Sequence, residues 1–228
     1  MINEAIILAG GLGTRLRDAV PELPKCMAPV NGNPFIWYVV DHLQKQGITN
    51  FIFALGYKSE AFDSFLSSVD INYKISIEEE PLGTGGAIKL ALLQSSSADV
   101  IVTNGDTLFK VDVGLLSETH QQKNSDCTLS LKPMKDFSRY GVVELDPTQR
   151  VISFKEKMYY ENGLINGGFY AINRESFLNE ILSEKFSFET DYLEKFYTER
   201  KIFGSVQDQY FIDIGIPEDY QRAQKELA

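Results

Sequence analysis

The run Ala5-Ile6-Ile7-Leu8-Ala9-Gly10-Gly11-Leu12-Gly13-Thr14-Arg15-Leu16 restricts the fold of this chain more than any other stretch. An apolar segment with two adjacent isoleucines favours extended backbone. It empties into a turn with three glycines, and a basic, helix-compatible segment follows. Glycines admit positive φ and let a ligand approach with no Cβ in the way. Successive free N–H groups in such a loop form an anion-binding concavity, and Arg15 adds a forked, permanently charged donor. Strand, glycine turn and arginine together point to an α/β unit whose first loop holds a phosphate. A strand-to-helix turn with no ligand is the alternative at this stage.

The rest of the chain has the material for such a fold. Its 228 residues suit one α/β domain, and 43% hydrophobic with 24% charged residues is enough to bury a core. A net charge of -10 argues against nucleic acid or an anionic membrane surface as partner. Cys26 and Cys127 form neither a disulfide framework nor a zinc pattern, so reduced thiols in the cytoplasm are expected. No secretory signal and no membrane-spanning stretch is visible.

Strands and helices alternate through the first half. The prolines from Pro21 to Pro34 forbid a helix and hold an extended loop that carries Lys25, either aimed back at the phosphates or simply exposed. Phe35 to Gln46 has helical periodicity and ends at Gly47; residues 51–57 form a strand, 60–66 a helix and 73–77 a third strand. This alternation implies right-handed βαβ units with ligands at the carboxyl ends of the strands. The third strand delivers Glu78-Glu79-Glu80-Pro81-Leu82-Gly83-Thr84-Gly85-Gly86, a second glycine loop before a helix from Ala87 to Leu93. A carboxylate there has the acceptors that the N1 and N2 edge of guanine requires, although a solvated acidic turn reads the same way. The buried strand from Asp99 ends in Asn104-Gly105-Asp106. A carboxylate in that position is costly unless a hard cation or a turn satisfies it. In the second half, strands are expected around 127–131, 140–145, 151–157 and 164–172, with helices at 174–182 and 188–197. The paired Gly167 and Gly168 suggest a bulge or a close backbone approach. A second strand-end carboxylate, Asp213, precedes a proline-started terminal helix. No repeat or long linker divides the chain, so a single domain is expected. Its nucleotide-binding half would span 1–110 and its sugar-phosphate half 111–228.

Six blocks resemble, in order, the sugar-phosphate nucleotidyltransferases. They are Leu8 to Leu16 with Pro24-Lys25, Glu80 to Gly85, Asn104-Gly105-Asp106, Phe154 to Lys157, Asn166-Gly167-Gly168 and Asp213 to Tyr220. The resemblance implies a Rossmann-like, mainly parallel mixed sheet flanked by helices (the GT-A-like arrangement). It also implies transfer of a nucleoside monophosphate from an NTP to a sugar 1-phosphate, with release of pyrophosphate. Leu8, Ala9, Gly10, Gly11, Gly13, Thr14 and Asn104 would then hold the nucleotide with Glu80, Gly83, Thr84 and Gly85. Arg15, Lys25 and Asp106 would act in catalysis, and Asp106 and Asp213 would ligate Mg²⁺. Gly141, Glu156, Lys157 and Asn166 would meet the sugar phosphate. Cys26 and Met158 stand where a proline is frequent, and neither change removes a charge.

The second loop is most similar to that of guanylyltransferases. The whole chain is most similar to those acting on D-glycero-D-manno-heptose 1-phosphate, with mannose 1-phosphate, UTP and dTTP as rival substrates. The resemblance implies small-molecule partners only and a monomer or homodimer. A dinucleotide oxidoreductase is disfavoured, because Leu16 stands where that fingerprint needs glycine or alanine. A silent sensor is disfavoured by the full set of charged groups.

Overall fold

A computed structural model describes residues 1–11, 23–56 and 58–227. Its first part contains β1 (Glu4–Leu8), the two-residue strands β2 (Pro29–Val30) and β3 (Asn33–Pro34), α1 (Phe35–Lys45), β4 (Asn50–Leu55), α2 (Asp63–Ser68) and β5 (Asn72–Ile77). Next come α3 (Gly83–Leu92), β6 (Asp99–Asn104), β7 (Thr107–Phe109), α4 (Val113–Gln122) and β8 (Cys127–Phe137). The remainder is β9 (Val142–Leu145), β10 (Val151–Lys155), β11 (Tyr160–Asn173), α5 (Arg174–Leu178), α6 (Glu194–Phe196), β12 (Ile202–Val206), β13 (Phe211–Asp213) and α7 (Pro217–Glu226).

A nine-stranded mixed sheet runs β10-β9-β11-β6-β1-β4-β5, with β8 joined to β11 and β12 to β8. β6, β1, β4 and β5 are mutually parallel. The antiparallel pairings join β11 to β6, β8 and β9, and β9 to β10. This is the mixed α/β class expected from the sequence.

Side-chain alternation explains why β1, β4 and β6 read as unbroken apolar runs. Ile7, Phe51, Phe53 and Ile101 pack on one face with α1, α4 and α7 residues Phe35, Val40, Leu116 and Ala223. Ile6, Ile52, Val100 and Val102 pack on the other with Ile88, Leu92 and Phe177 from α3 and α5. A strand covered on both faces has no solvent side to make polar. Each isoleucine buried in this way stabilises the fold by about 1.5–3 kcal/mol.

Several boundaries moved for tertiary reasons. The Gly83-Thr84-Gly85-Gly86 segment, expected as loop, is the first turn of α3. The Phe186 backbone satisfies both ends of that turn: the Gly85 N–H donates to Phe186 O at 3.0 Å, and the Phe186 N–H donates to Leu82 O at 3.0 Å. The expected helix over 188–197 is a π-turn over Phe188–Leu193 followed by the short α6. The helix from Arg174 ends at Leu178 rather than 182. A 3₁₀ turn, Lys25–Met27, interrupts the proline loop. In β11 the register breaks between Asn166 and Tyr170, the irregularity that Gly167 and Gly168 foreshadow.

The start of β6 is fixed by a buried polar cluster. His120 Nδ1 lies 2.9 Å from Thr128 Oγ1, and its Nε2 lies 3.4 Å from Asp99 Oδ1. Asn173 Nδ2 donates to the same Asp99 oxygen at 3.0 Å. The His120 interaction, ahead of the others, holds the Asp99 carboxyl below its ordinary range. The folded state therefore favours the carboxylate. This stabilisation is complete above the unfolded value near 4 and fades as pH falls toward the lower folded value. Asp99→Asn is expected to cost about 1–2 kcal/mol at pH 7. Thermal melts of both proteins at descending pH should show that difference shrinking below pH 4; a constant difference would contradict the assignment.

Candidate active site

The carboxyl ends of the four parallel strands open onto one cleft, as the topology requires. A cavity of about 630 Å³ is lined by Leu8 at the end of β1 with Ala9, Gly10 and Gly11 beyond it, Gly56 after β4, Glu78, Glu79 and Glu80 after β5, and Asn104 at the end of β6 with Asp106 beyond it. Gly83 and Thr84 close its far side, and Lys25 and Cys26 stand at its inner end. A Cβ on Gly10 would lie 2.8 Å from Glu78 Oε1 and 3.2 Å from the Gly56 nitrogen, so only glycine lets these strand-end loops pack together. Glu78 is tied down by the Leu82 N–H, which donates to its Oε2 at 2.7 Å, and burial pushes its carboxyl up.

A second cavity of about 430 Å³ adjoins the first and shares Asn104 with it. Gly141, Glu156, Lys157 and Asn166 all line this second cavity, together with Tyr140, Glu189, Glu194 and Asp213. Asn166 also braces the wall. Its Nδ2 donates to the Tyr170 hydroxyl at 2.9 Å, and its Oδ1 accepts the Gly168 N–H at 3.1 Å.

The two cavities meet at a cluster of charge. Lys25 Nζ lies 2.5 Å from Asp106 Oδ2 and 3.5 Å from Asp213 Oδ1. Asp106 follows β6, and Asp213 ends β13, which pairs with β7 so that Asp213 faces Thr107. The Gly215 N–H donates to Asp213 Oδ1 at 2.7 Å. The Tyr140 hydroxyl lies 3.5 Å from Asp213 Oδ2, and burial next to that carboxylate pushes its phenol up to about 12. Arg139 Nη2 lies 3.8 Å from the same oxygen, and Arg139 also pairs with Asp219 of α7. Lys25, expected to face phosphates, here stands as the shared cation between two carboxylates.

This donor set suits a hard divalent ion, because two carboxylates plus substrate phosphates are what Mg²⁺ ordinarily uses. Among the described residues no group of three or more His, Cys, Asp or Glu stands ready to hold a metal by itself.

One placement differs from the sequence reading. Gly85 is buried away from the cleft, and a Cβ there would lie 2.1 Å from the Phe186 ring, so its missing side chain makes room for that ring. Gly13, Thr14 and Arg15 lie outside the described residues. Cys26 is buried with Sγ 4.0 Å from Ala9 O, and burial pushes its thiol up. Sequence reasoning did not single out Glu78, Arg139 or Glu189 as site residues. Arg139 had a signal, since it stands two residues before Gly141; Glu189 had no local one.

A strand-end cleft joined to a polar cavity through Lys25 and two aspartates has the charge layout that phosphate transfer needs. The chain belongs to the nucleotidyl transferase family, which it matches over residues 4–228. It is 53% identical over 228 residues to the D-glycero-alpha-D-manno-heptose 1-phosphate guanylyltransferase of Aneurinibacillus thermoaerophilus, covering 98% of each chain. It is 46% identical to the protein of that name from Campylobacter jejuni, over 95% of this chain and 96% of the other. The crystal structure of HddC from Yersinia pseudotuberculosis complexed with GMP-PN superposes over 100% of both chains, with a TM-score of 0.90 and 37% identity.

Proposed function

We propose that this enzyme transfers GMP from GTP to D-glycero-α-D-manno-heptose 1-phosphate in the cytoplasm, releasing pyrophosphate. The observation that carries this reading is the junction of the two cavities at Lys25, Asp106 and Asp213. In that layout the nucleotide lies against the strand-end loops and the sugar phosphate against Lys157. The base and sugar assignments are supported by the names of the two relatives. Glu79 and Glu80 at the cleft supply acceptors for the N1–H and N2–H donors of guanine.

The sugar phosphate is already an anion, so no protein nucleophile or base is required. One of its oxygens bonds to the α-phosphorus of GTP while the bond from that phosphorus to the bridging oxygen breaks, and the electron pair leaves with pyrophosphate. The chain's own contribution is alignment and charge neutralisation. Lys25 donates to phosphate oxygens as negative charge redistributes. The Gly10 and Gly11 backbone and Arg15 hold the triphosphate, and Glu156 and Asn166 orient the sugar hydroxyls. Asp106 and Asp213 are the residues that would hold Mg²⁺, which when bound supplies Lewis-acid neutralisation of the phosphates.

A matrix of NTPs against sugar 1-phosphates, read by pyrophosphate release, tests the reading. GTP with the heptose phosphate is expected to give the highest kcat/KM. Preference for UTP or dTTP would overturn the base assignment, and preference for mannose 1-phosphate the sugar assignment. No release with any pair would overturn the reaction itself.

A further inference from the structure

Thr84 lines the nucleotide cavity and Glu189 lines the sugar cavity, and the two are hydrogen-bonded to each other across 105 residues of sequence. Thr84 Oγ1 accepts the Phe188 N–H at 2.8 Å. With that lone pair engaged by an amide proton, the hydroxyl hydrogen is directed to Glu189 Oε2, also at 2.8 Å. The Ser187 hydroxyl donates to the same Oε2 at 3.1 Å. Glu189 Oε1 takes part in no hydrogen bond among the described residues.

The segment carrying Glu189 is rigidly seated. Ser187 Oγ accepts the Thr190 N–H at 3.2 Å, and Asp191 Oδ2 accepts the Ser187 N–H at 2.9 Å, a reciprocal cap. Phe188 packs between Tyr170, Phe177 and Tyr192, with ring centroids at 4.9, 5.6 and 5.4 Å. The turn that follows is a π-turn, a rare geometry that recurs at functional sites. Thr84, in turn, sits in the first turn of α3, which the Phe186 backbone clamps. A shift of that turn must therefore move the Glu189 carboxylate or break its bond to Thr84.

Glu189 shares the sugar cavity with Glu156 and Glu194, while Lys155 and Lys157 line it as well. Burial, then the charges of Glu156 and Glu189, push the Glu194 carboxyl up. Lys155 is paired with Glu144, so Lys157 is the lining cation left for an anion, and carboxylate acceptors beside it match a ligand that carries both hydroxyl donors and a phosphate.

We propose that Glu189 is a positioning residue for the sugar. Its Oε1 accepts a sugar hydroxyl, and its Oε2, through Thr84, couples occupancy of the sugar cavity to occupancy of the nucleotide cavity. This rests on the assignment of the second cavity to the sugar phosphate. The consequence is mutual reinforcement: a nucleotide that packs against the Thr84 turn of α3 holds Glu189 in place for the sugar, and the sugar returns the effect, because coupling between sites is reciprocal.

The test uses the full chain with isosteric variants, Glu189→Gln and Thr84→Val, and thermal melts to confirm folding. Initial rates of pyrophosphate release give KM for each substrate. Calorimetry with α,β-methylene GTP gives its Kd with and without heptose 1-phosphate. Glu189→Gln is expected to raise KM for the sugar phosphate about 10-fold or more, the size of one hydrogen bond to a charged group. The KM for GTP should move far less, a split that general loosening would not produce. In wild type the sugar phosphate should tighten analogue binding by about 5-fold or more, and in Thr84→Val that ratio should fall to near 1. A sugar KM in Glu189→Gln within about 2-fold of wild type, or a coupling ratio unchanged in Thr84→Val, would overturn the proposal. Absence of turnover in wild type with every substrate pair is a different failure, which removes the functional reading and this proposal with it.

Discussion

Asp106→Asn and Asp213→Asn are each expected to lower kcat by about 10²–10³-fold at saturating substrates, the usual size of losing one preorganised charge partner in a transition state. The argument is geometric. Asp106, in the turn after β6, and Asp213, at the end of β13, are more than a hundred residues apart, yet both have a carboxylate oxygen within 3.5 Å of one ammonium nitrogen. Two carboxylates at one point repel each other unless a cation or a shared proton offsets them, and here an ammonium stands between them. Asparagine keeps the volume and one acceptor but removes the charge. For Asp213 the Gly215 N–H still has an oxygen to donate to, so the loop keeps its shape. Both variants should fold and bind GTP while losing Mg²⁺-dependent pyrophosphate release. The measurement is release rate across a Mg²⁺ titration, beside melting temperature and GTP affinity. Near-normal turnover in both variants would remove the metal assignment and leave the pair as a structural partner for Lys25.

How far the site could be read before folding depended on whether each residue's partner lies nearby in sequence. β1, β4 and β6 were legible because both their faces are covered, so periodicity collapses into apolar runs ended by Gly10, Gly56 and Gly105. Asp106 was legible because it closes such a run. Gly85 faces Phe186, which the sequence does not announce, because a glycine cluster looks the same whether a nucleotide or a phenylalanine ring takes the space, and Phe186 lies a hundred residues away. The π-turn at Phe188–Leu193 was unreadable for a related reason. Its first residue is held by Thr84, and apolar spacing alone specifies only an ordinary helix. Glu189 carried no local signal, because an acidic residue in a first turn is what helix dipoles commonly favour. Its hydrogen bond to Thr84 exists only once β11 has returned alongside β6 and carried the second half of the chain back to the first.

Replacing Lys25 by methionine should separate its two roles. In the substrate-free enzyme its ammonium neutralises Asp106 and Asp213; with substrates bound, it is expected to serve the phosphates. These roles use the same atom and cannot both be complete at once. Lys25→Met keeps the aliphatic stem and removes the charge, leaving two carboxylates facing each other with no shared cation. Lys25 is largely enclosed, but Asp106 is 33% and Asp213 22% exposed, so water relieves much of the repulsion. The cost should be near 1 kcal/mol, or about 2–4 °C in Tm for a chain of this length. Turnover should fall far more, by about 10²–10³-fold, because the phosphate charge that moves in the transition state then lacks its fixed donor. The discriminating measurement is the response of Tm to Mg²⁺ without nucleotide. In wild type the divalent ion must displace an ammonium already paired with both aspartates, whereas in Lys25→Met only Arg139, 3.8 Å from Asp213 Oδ2, still opposes the pair. Millimolar Mg²⁺ should therefore raise the Tm of the variant more than that of wild type, even though the variant is nearly inactive. Equal Mg²⁺ shifts in the two proteins would show that Lys25 and the metal do not compete for these carboxylates. In that case the ammonium would have to be assigned a place beside the metal rather than in its stead.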